Sequence, residues 1–241
     1  ACVLIGRLAQ RFDQRLGLMA ALLAALNPTQ IVMASYVLTD SLFLFFVCLM
    51  LLGCAYWLDT PRWRYALLIG IASALALLTR AVIWPWLIVL PFMLIALSAW
   101  KHGKARLGVS QAACIGAIAA IAAAPIVVNN ARTYSVWQIS SQNGEQALMW
   151  IAPLVREAKD GTSWDANVAV LEKRLAERHP DLARLNPFAL SAARMSLARE
   201  ELSDLGFAAI AKAWAIGAAI NLVSPAVILS PVLAQLPRTG F

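Results

Sequence analysis

Residues 59–106 read DTPRWRYALLIGIASALALLTRAVIWPWLIVLPFMLIALSAWKHGKAR. Two basic stubs, DTPRWR at 59–64 and KHGKAR at 101–106, bracket a long apolar stretch whose only full charge is Arg80. A third stub, RLAQRFDQR at 7–15, precedes another apolar stretch whose only full charge is Asp40. Lipid offers backbone groups no hydrogen-bonding partner, so a run of about 18 or more apolar residues reads as a membrane-spanning helix. The chain is therefore read as an all-α, polytopic transmembrane helix bundle.

Composition agrees. Of 241 residues, 61% are hydrophobic and 14% charged, and the mean hydropathy is +0.70. An ordinary soluble domain is about 45–50% apolar and about 25% charged. The net charge of +7 sits in stubs beside spans rather than on one basic face, which is the positive-inside pattern and excludes a nucleic-acid partner. Cys2, Cys48, Cys54 and Cys114 lie in apolar runs without a CxxC spacing or a nearby histidine. They read as small buried hydrophobes.

Residues 1–6 read as the tail of a helix entering the cytoplasm, and Ala1 and Phe241 read as cut ends. Spans are expected at 16–36, 40–58, 65–79, 82–100, 107–128 and 207–233, with kinks or breaks at Pro28, Pro85, Pro91 and Pro125. With 7–15 inside, the stubs at 59–64, 101–106 and 237–241 are inside too. They carry Arg7, Arg11, Arg15, Arg62, Arg64, Lys101, Lys104, Arg106 and Arg238, against Arg80 and Asp40 in the short outer turns. Trp57, Trp63 and Trp100 fall at the inner interface, Trp84 and Trp86 at the outer, as an aromatic belt without chemistry.

Three regions follow: 1–128 as transmembrane helices with short loops, 129–206 as an extracytoplasmic loop, and 207–241 as the last span with a cytoplasmic stub. In the loop, Asp165 is expected to cap a helix through 178, with Val168, Leu171 and Leu175 on one stripe and Pro180 ending it. Asn186-Pro187 starts a second helix, with Phe188, Ala192, Met195 and Leu202 on one face and Gly206 at its end. These helices lie on the membrane face or on each other, or form a solvated connector outside the chemistry.

Few residues carry chemistry. Asp40, in VLTDSLFLFF, opens an apolar helix at the outer face. It is either a helix-terminal carboxylate or a wall of an outward polar cavity. Arg80, in ALLTRAVIWPW, is either a snorkelling arginine or a contact for a lipid phosphate. After Pro125, PIVVNNARTYSVWQISSQNGEQ supplies Asn129, Asn130, Arg132, Ser141, Gln142 and Asn143 at the outer surface, a set suited to carbohydrate hydroxyls, with Gly144 marking a tight turn. There is no Walker-type loop, HExxH, GxSxG or paired-carboxylate pattern, and His102 and His179 read as incidental.

The order of ALLAALNPTQIVMASYVLTDSLFLFF, WRYALLIGIASALALLTRAVIWPWLIVLP and PIVVNNARTYSVWQISSQNG resembles the GT-C membrane glycosyltransferases, in particular the protein mannosyltransferase and lipid A aminoarabinose transferase group. Pro125, Asn130, Ser141, Asn143 and Gly144 fall at the spacings of a pattern in that group. Asn129 stands where the group often has arginine, and Arg132 is the nearby substitute. The resemblance implies a GT-C-like bundle in a bacterial inner membrane that moves a sugar from a polyprenyl-phosphate donor to a lipid, glycan or protein acceptor at the outer face. It implies substrate or lipid-phosphate binding by Asp40, Arg80, Asn129, Asn130, Arg132 and Asn143. The catalytic base is expected in a loop upstream of Ala1, and the resemblance leaves room for a divalent metal ion. A transporter or lipid flippase is the alternative, although no internal pseudo-repeat is visible. A non-catalytic membrane subunit is a third reading.

The orientation is directly testable. In a background free of native cysteines, an impermeant thiol reagent added outside should label a cysteine at position 161 and miss one at position 103. The reverse pattern overturns the topology.

Overall fold

The computed structural model describes residues 1–27, 31 and 39–223. Its described residues form two compact units, divided between Ile126 and Val127.

The first unit begins with α1 (Cys2–Ala9) and α2 (Gln14–Ala25), followed by α3 (Thr39–Asp59) and α4 (Trp63–Thr79). A 3₁₀ turn at Ala81–Ile83 leads into α5 (Trp84–His102), and α6 runs Ala105–Tyr134. Three stretches are long and apolar enough to cross a membrane: Thr39–Asp59, Ala81–His102 and Ala105–Tyr134. In each, only 28% of the most apolar window is buried inside the protein. Water would penalise that outward surface by about 25 cal/mol per Å², whereas lipid tails do not. The chain is an integral membrane protein, and the expected spans at 40–58, 82–100 and 107–128 coincide with these helices. The expected span 16–36 is described in its first part as α2, with residues 28–30 and 32–38 outside the described residues. For the span 207–233, the helix Phe207–Val223 is described and the remainder is not.

α4 has 17 residues and buries Ala66, Ile69, Gly70, Ala72, Ser73, Ala74, Ala76 and Leu77, too many for one stripe. It is a central helix, and its small residues let neighbours come close, which is how helices associate where no hydrophobic force separates protein from solvent. A Cβ on Gly70 would lie 2.7 Å from Ile118 Cδ1 on α6 and 3.4 Å from Ile115 Cα. By contrast, α5 offers one narrow stripe, Leu87, Leu90, Leu94 and Ser98. α6 does the same with Gly108, Gln111, Ala112, Ile115, Ala119 and Ala123. Pro91 and Pro125 lie inside helices that continue past them, and Pro85 sits in the first turn of α5, so none of the three breaks a span.

One end of this unit collects the basic stubs. Arg11 pairs with Asp59 and lies over the Tyr56 ring at 5.3 Å. The Trp57 indole N–H donates to Gln111 Oε1 at 2.7 Å, and the same amide donates to Pro61 O at 3.1 Å. The His102 ring meets Trp57 edge-on at 6.3 Å. Trp57 is thus no belt residue: it is fully buried, while Trp63, Trp84, Trp86 and Trp100 are exposed. Its N–H needs a partner away from water, and Gln111 supplies it. A helix of the 21 residues in α3 is about 30 Å long, so Asp40 lies at the opposite end from Asp59.

In the second unit, a π-helical turn at Gln146–Ile151 leads into α7 (Ala152–Asp160), which Gly161 ends in the left-handed region at φ 73. α8 (Trp164–Arg178) and α9 (Pro187–Leu205) follow, then α10 (Phe207–Val223). Ala147, Leu148, Met149, Ala152, Leu171, Leu175, Leu197 and Ala198 form the core, with Val168 packed against it. α8 and α9 therefore pack through this shared core rather than forming a bare connector. One expectation changes. Ser163, not Asp165, caps α8, accepting from Ala166 N–H, while Asp165 sits in the first turn. On α9 the core takes Leu197 and Ala198, with Met195 and Leu202 of the expected face packed against it and Phe188 buried as well. The α9 start is as read: Asn186 Oδ1 accepts from Phe188 and Ala189 N–H at 3.0 and 2.9 Å, with Pro187 at the first position.

Glu201 is buried, its side chain only 6% exposed, and it is bridged by Arg174 of α8 and by Arg156 of α7 at 3.4 Å. Next to it, exposed Glu200 accepts two bonds from Arg178, at 2.6 and 2.7 Å. That hydrogen bonding holds the Glu200 carboxyl below the usual carboxylate range. A carboxyl lowered in the folded state contributes stability above its ordinary range and loses it as pH falls through the folded value. The two neighbours should behave differently in denaturant melts in detergent. Glu201→Ala strands two guanidinium groups and should destabilise the second unit by about 2–4 kcal/mol, less than a fully buried pair because Arg174 is half exposed. Glu200→Ala should have little effect at neutral pH. Equal effects would contradict the burial argument.

Candidate functional site

Asp40 lies in the first turn of α3, where the partial positive charge of the helix N-terminus favours a carboxylate. Arg80 follows α4 in an extended conformation, φ −149 and ψ 121, with its N–H bonded to Ala76 O at 2.9 Å. The extended residue separates α4 from the 3₁₀ turn Ala81–Ile83 and turns the chain at this end. Its Nη1 donates to Asp40 Oδ1, and the two side chains are 49% and 35% exposed. The pair is therefore open to a ligand from one side. It is also a pairing that neither residue's sequence context announces, since the two are 40 positions apart.

A guanidinium presents five N–H donors in a planar fork, and one bond to a carboxylate leaves most of them available. At this end the chain offers a bound-up cation and its counter-ion, with the basic stubs gathered at the other end. Phosphate oxygens suit such a fork. A divalent ion fits less well: among the described residues no three His, Cys, Asp or Glu side chains gather as a metal-holding group. Asp40 is a single carboxylate already engaged by Arg80.

The other four expected residues belong to the second unit. α6 stays helical through Tyr134, so Asn129, Asn130 and Arg132 ride its last turns rather than a loop. Polar side chains do not end a helix by themselves, which is why the sequence placed this boundary early. The helix ends at Ser135, in the left-handed region at φ 59. Asn130 Nδ2 then donates to Gln138 O at 2.8 Å and holds the following segment back against the helix end. Exposed Arg132 lines a shallow concavity of about 480 Å³ with Ser135 and Trp137. Asn129 is exposed and makes no side-chain bond among the described residues. Asn143 lines a separate groove of about 590 Å³.

Gly144 does not mark a tight turn. It lies buried in the helical turn Asn143–Glu145, and its N–H donates to Ser191 Oγ at 3.0 Å. A Cβ there would sit 1.9 Å from Ser191 O, so the residue is glycine because two backbones meet. That contact presses the 136–143 segment onto α9 and forms one wall of the Asn143 groove. The far wall was missed in sequence: Phe188, Ala192 and Met195 line the groove, Met195 being packed against the core as well, and Arg199 stands with them. The signal was present, since Arg199 continues the 188, 192, 195 stripe by four residues.

Residues 1–128 match the family model described as dolichyl-phosphate-mannose-protein mannosyltransferase, which covers more than half of the chain and includes Asp40 and Arg80. No curated protein and no solved structure matches the chain. The groove of the second unit lies beyond the matched residues.

The Gly144 contact can be tested against another glycine. Gly144→Ala should destabilise the protein by about 1–3 kcal/mol, as overpacking does. Gly116→Ala, where a Cβ meets nothing within 4 Å, should be neutral or slightly stabilising, because alanine is the better helix residue. Thermal melts of the two variants in the same detergent separate the outcomes, and a harmless Gly144→Ala would refute the close approach.

Proposed function

The chain belongs to the dolichyl-phosphate-mannose-protein mannosyltransferase family, and we propose that it transfers a sugar from a polyprenyl-phosphate donor to an acceptor at the outer face of a membrane. The carrying observation is the half-exposed Arg80–Asp40 pair, at the end of the first unit away from the basic stubs. The positive-inside bias assigns the stub end to the cytoplasm, so the pair faces outward. By the same resemblance the membrane is a bacterial inner membrane, and the acceptor is a lipid, glycan or protein.

In this reading the donor phosphate takes the Arg80 fork in place of Asp40. Transfer then forms a bond from the acceptor oxygen to the sugar's anomeric carbon and breaks the bond from that carbon to the phosphate oxygen. The acceptor proton passes to a base. Negative charge grows on the departing polyprenyl phosphate, where a fixed guanidinium stabilises it most. Asp40, released from Arg80, is free to accept a hydrogen bond from a sugar hydroxyl. By the same resemblance Asn129, Asn130, Arg132 and Asn143, which belong to the second unit, are substrate-binding residues of that unit. None of the described residues is assigned as the base.

Donor affinity, measured in nanodiscs at fixed salt, tests this. Arg80→Ala should weaken polyprenyl-phosphate binding about tenfold or more, since a charge-assisted hydrogen bond is worth about 1.5–3 kcal/mol. Arg80→Lys should recover part of the loss, a point charge replacing a fork. Asp40→Asn should tighten the donor, because the competing carboxylate is gone, while slowing turnover. Unchanged affinity in Arg80→Ala removes the phosphate role. Movement of lipid-linked sugar across the bilayer without transfer would favour a flippase.

A further inference from the structure

The groove of about 590 Å³ in the second unit has the size of a ligand site, typically roughly 300–1,000 Å³. Its chemistry is one-sided. Among its lining residues Arg199 is the sole charge and no carboxylate is present. The acidic residues nearest in sequence are committed elsewhere: Glu200 to Arg178, Glu201 to Arg156 and Arg174, and Glu145 to Arg194 at 3.2 Å. Arg199 itself is exposed and makes no ion pair or side-chain hydrogen bond among the described residues. Against it stand the side-chain amides of Gln138 and Asn143, likewise without a side-chain partner among the described residues, and the apolar faces of Phe188 and Met195.

An amide holds a donor and an acceptor in one plane, which matches adjacent hydroxyls on a sugar ring. Apolar side chains cover the ring's C–H face, and an unpaired guanidinium selects an anionic group in a two-pronged contact. The Gly144–Ser191 backbone contact fixes Asn143 against α9, so the two walls are preset rather than assembled on binding. We propose that this groove binds a saccharide carrying an anionic group, phosphate or carboxylate, with Arg199 reading the charge and Asn143 the hydroxyls. Its role as the acceptor site rests on the glycosyltransferase reading above; the binding chemistry does not.

The test uses the whole protein in phosphatidylcholine nanodiscs, titrated by saturation-transfer NMR with glucose 1-phosphate, glucuronate, glucose and inorganic phosphate. Both anionic sugars should bind more tightly than glucose, and Arg199→Gln should weaken them about tenfold while leaving glucose unchanged. Arg199→Lys should restore part of that, and Asn143→Ala should weaken all three sugars. Exposed Arg199 contributes nothing to the core, and unchanged melting temperatures in its variants confirm that the fold is intact. Arg80→Ala should leave these titrations unaltered, so a failed donor site and a failed groove give different results. Repeating the series with phosphatidylglycerol in the discs separates a soluble ligand from a headgroup: competition by that lipid assigns the anion to a lipid-borne source, and no competition assigns it to a soluble saccharide. The proposal is overturned if the anionic sugars bind no better than glucose, if inorganic phosphate alone binds as well as glucose 1-phosphate, or if Arg199→Gln changes nothing.

Discussion

Hydrocarbon leaves a charge on this chain two places to go: the water at a helix end, or an opposite charge. Every other feature of the first unit follows from that. The basic stubs collect at one end, where Arg11 meets Asp59 and Gln111 ties Trp57 to Pro61 O. The two charges exiled to the other end, Asp40 and Arg80, find each other. Between the ends the helices meet through small residues, and α4 occupies the centre because Ala66, Gly70, Ser73 and Ala74 take up so little room.

The second unit is held together differently. It has its own core and an acid, Glu201, buried between arginines from two neighbouring helices. Its caps are conventional, with Ser163 and Asn186 satisfying the first N–H groups of α8 and α9. What sets it apart is a close backbone contact at Gly144 that shapes a groove with one free cation among its lining residues.

Much of this was legible in the sequence. Long apolar runs bounded by charges announce spans, because nothing else explains so many exposed large hydrophobic residues, and three of the expected spans coincide with helices of the right length. Asn186-Pro187 announced a helix start for a local steric reason that tertiary structure does not override. Partner choice was not legible. Trp57 looks like any interfacial tryptophan until the polar Gln111 is noticed on the small-residue stripe of α6. On α9 the face through Met195 and Leu202 packs against the core beside Leu197 and Ala198, while Met195 and Phe188 also line the groove, a division that the apolar pattern alone does not show. Gly144 was read as a turn because glycine serves both turns and close approaches, and sequence alone does not distinguish them.

The central claim is that Arg80 exchanges a carboxylate for the phosphate of a lipid-linked donor. Solid-state NMR on protein with ¹⁵N-labelled arginine, reconstituted with polyprenyl phosphate, measures it directly through nitrogen–phosphorus dipolar dephasing. The account predicts a guanidinium nitrogen within about 4 Å of phosphorus, the reach of a charge-assisted N–H···O–P contact, and loss of that signal in Arg80→Lys. A dephasing curve that stays flat in the wild-type protein, with the guanidinium still bonded to Asp40, would contradict it.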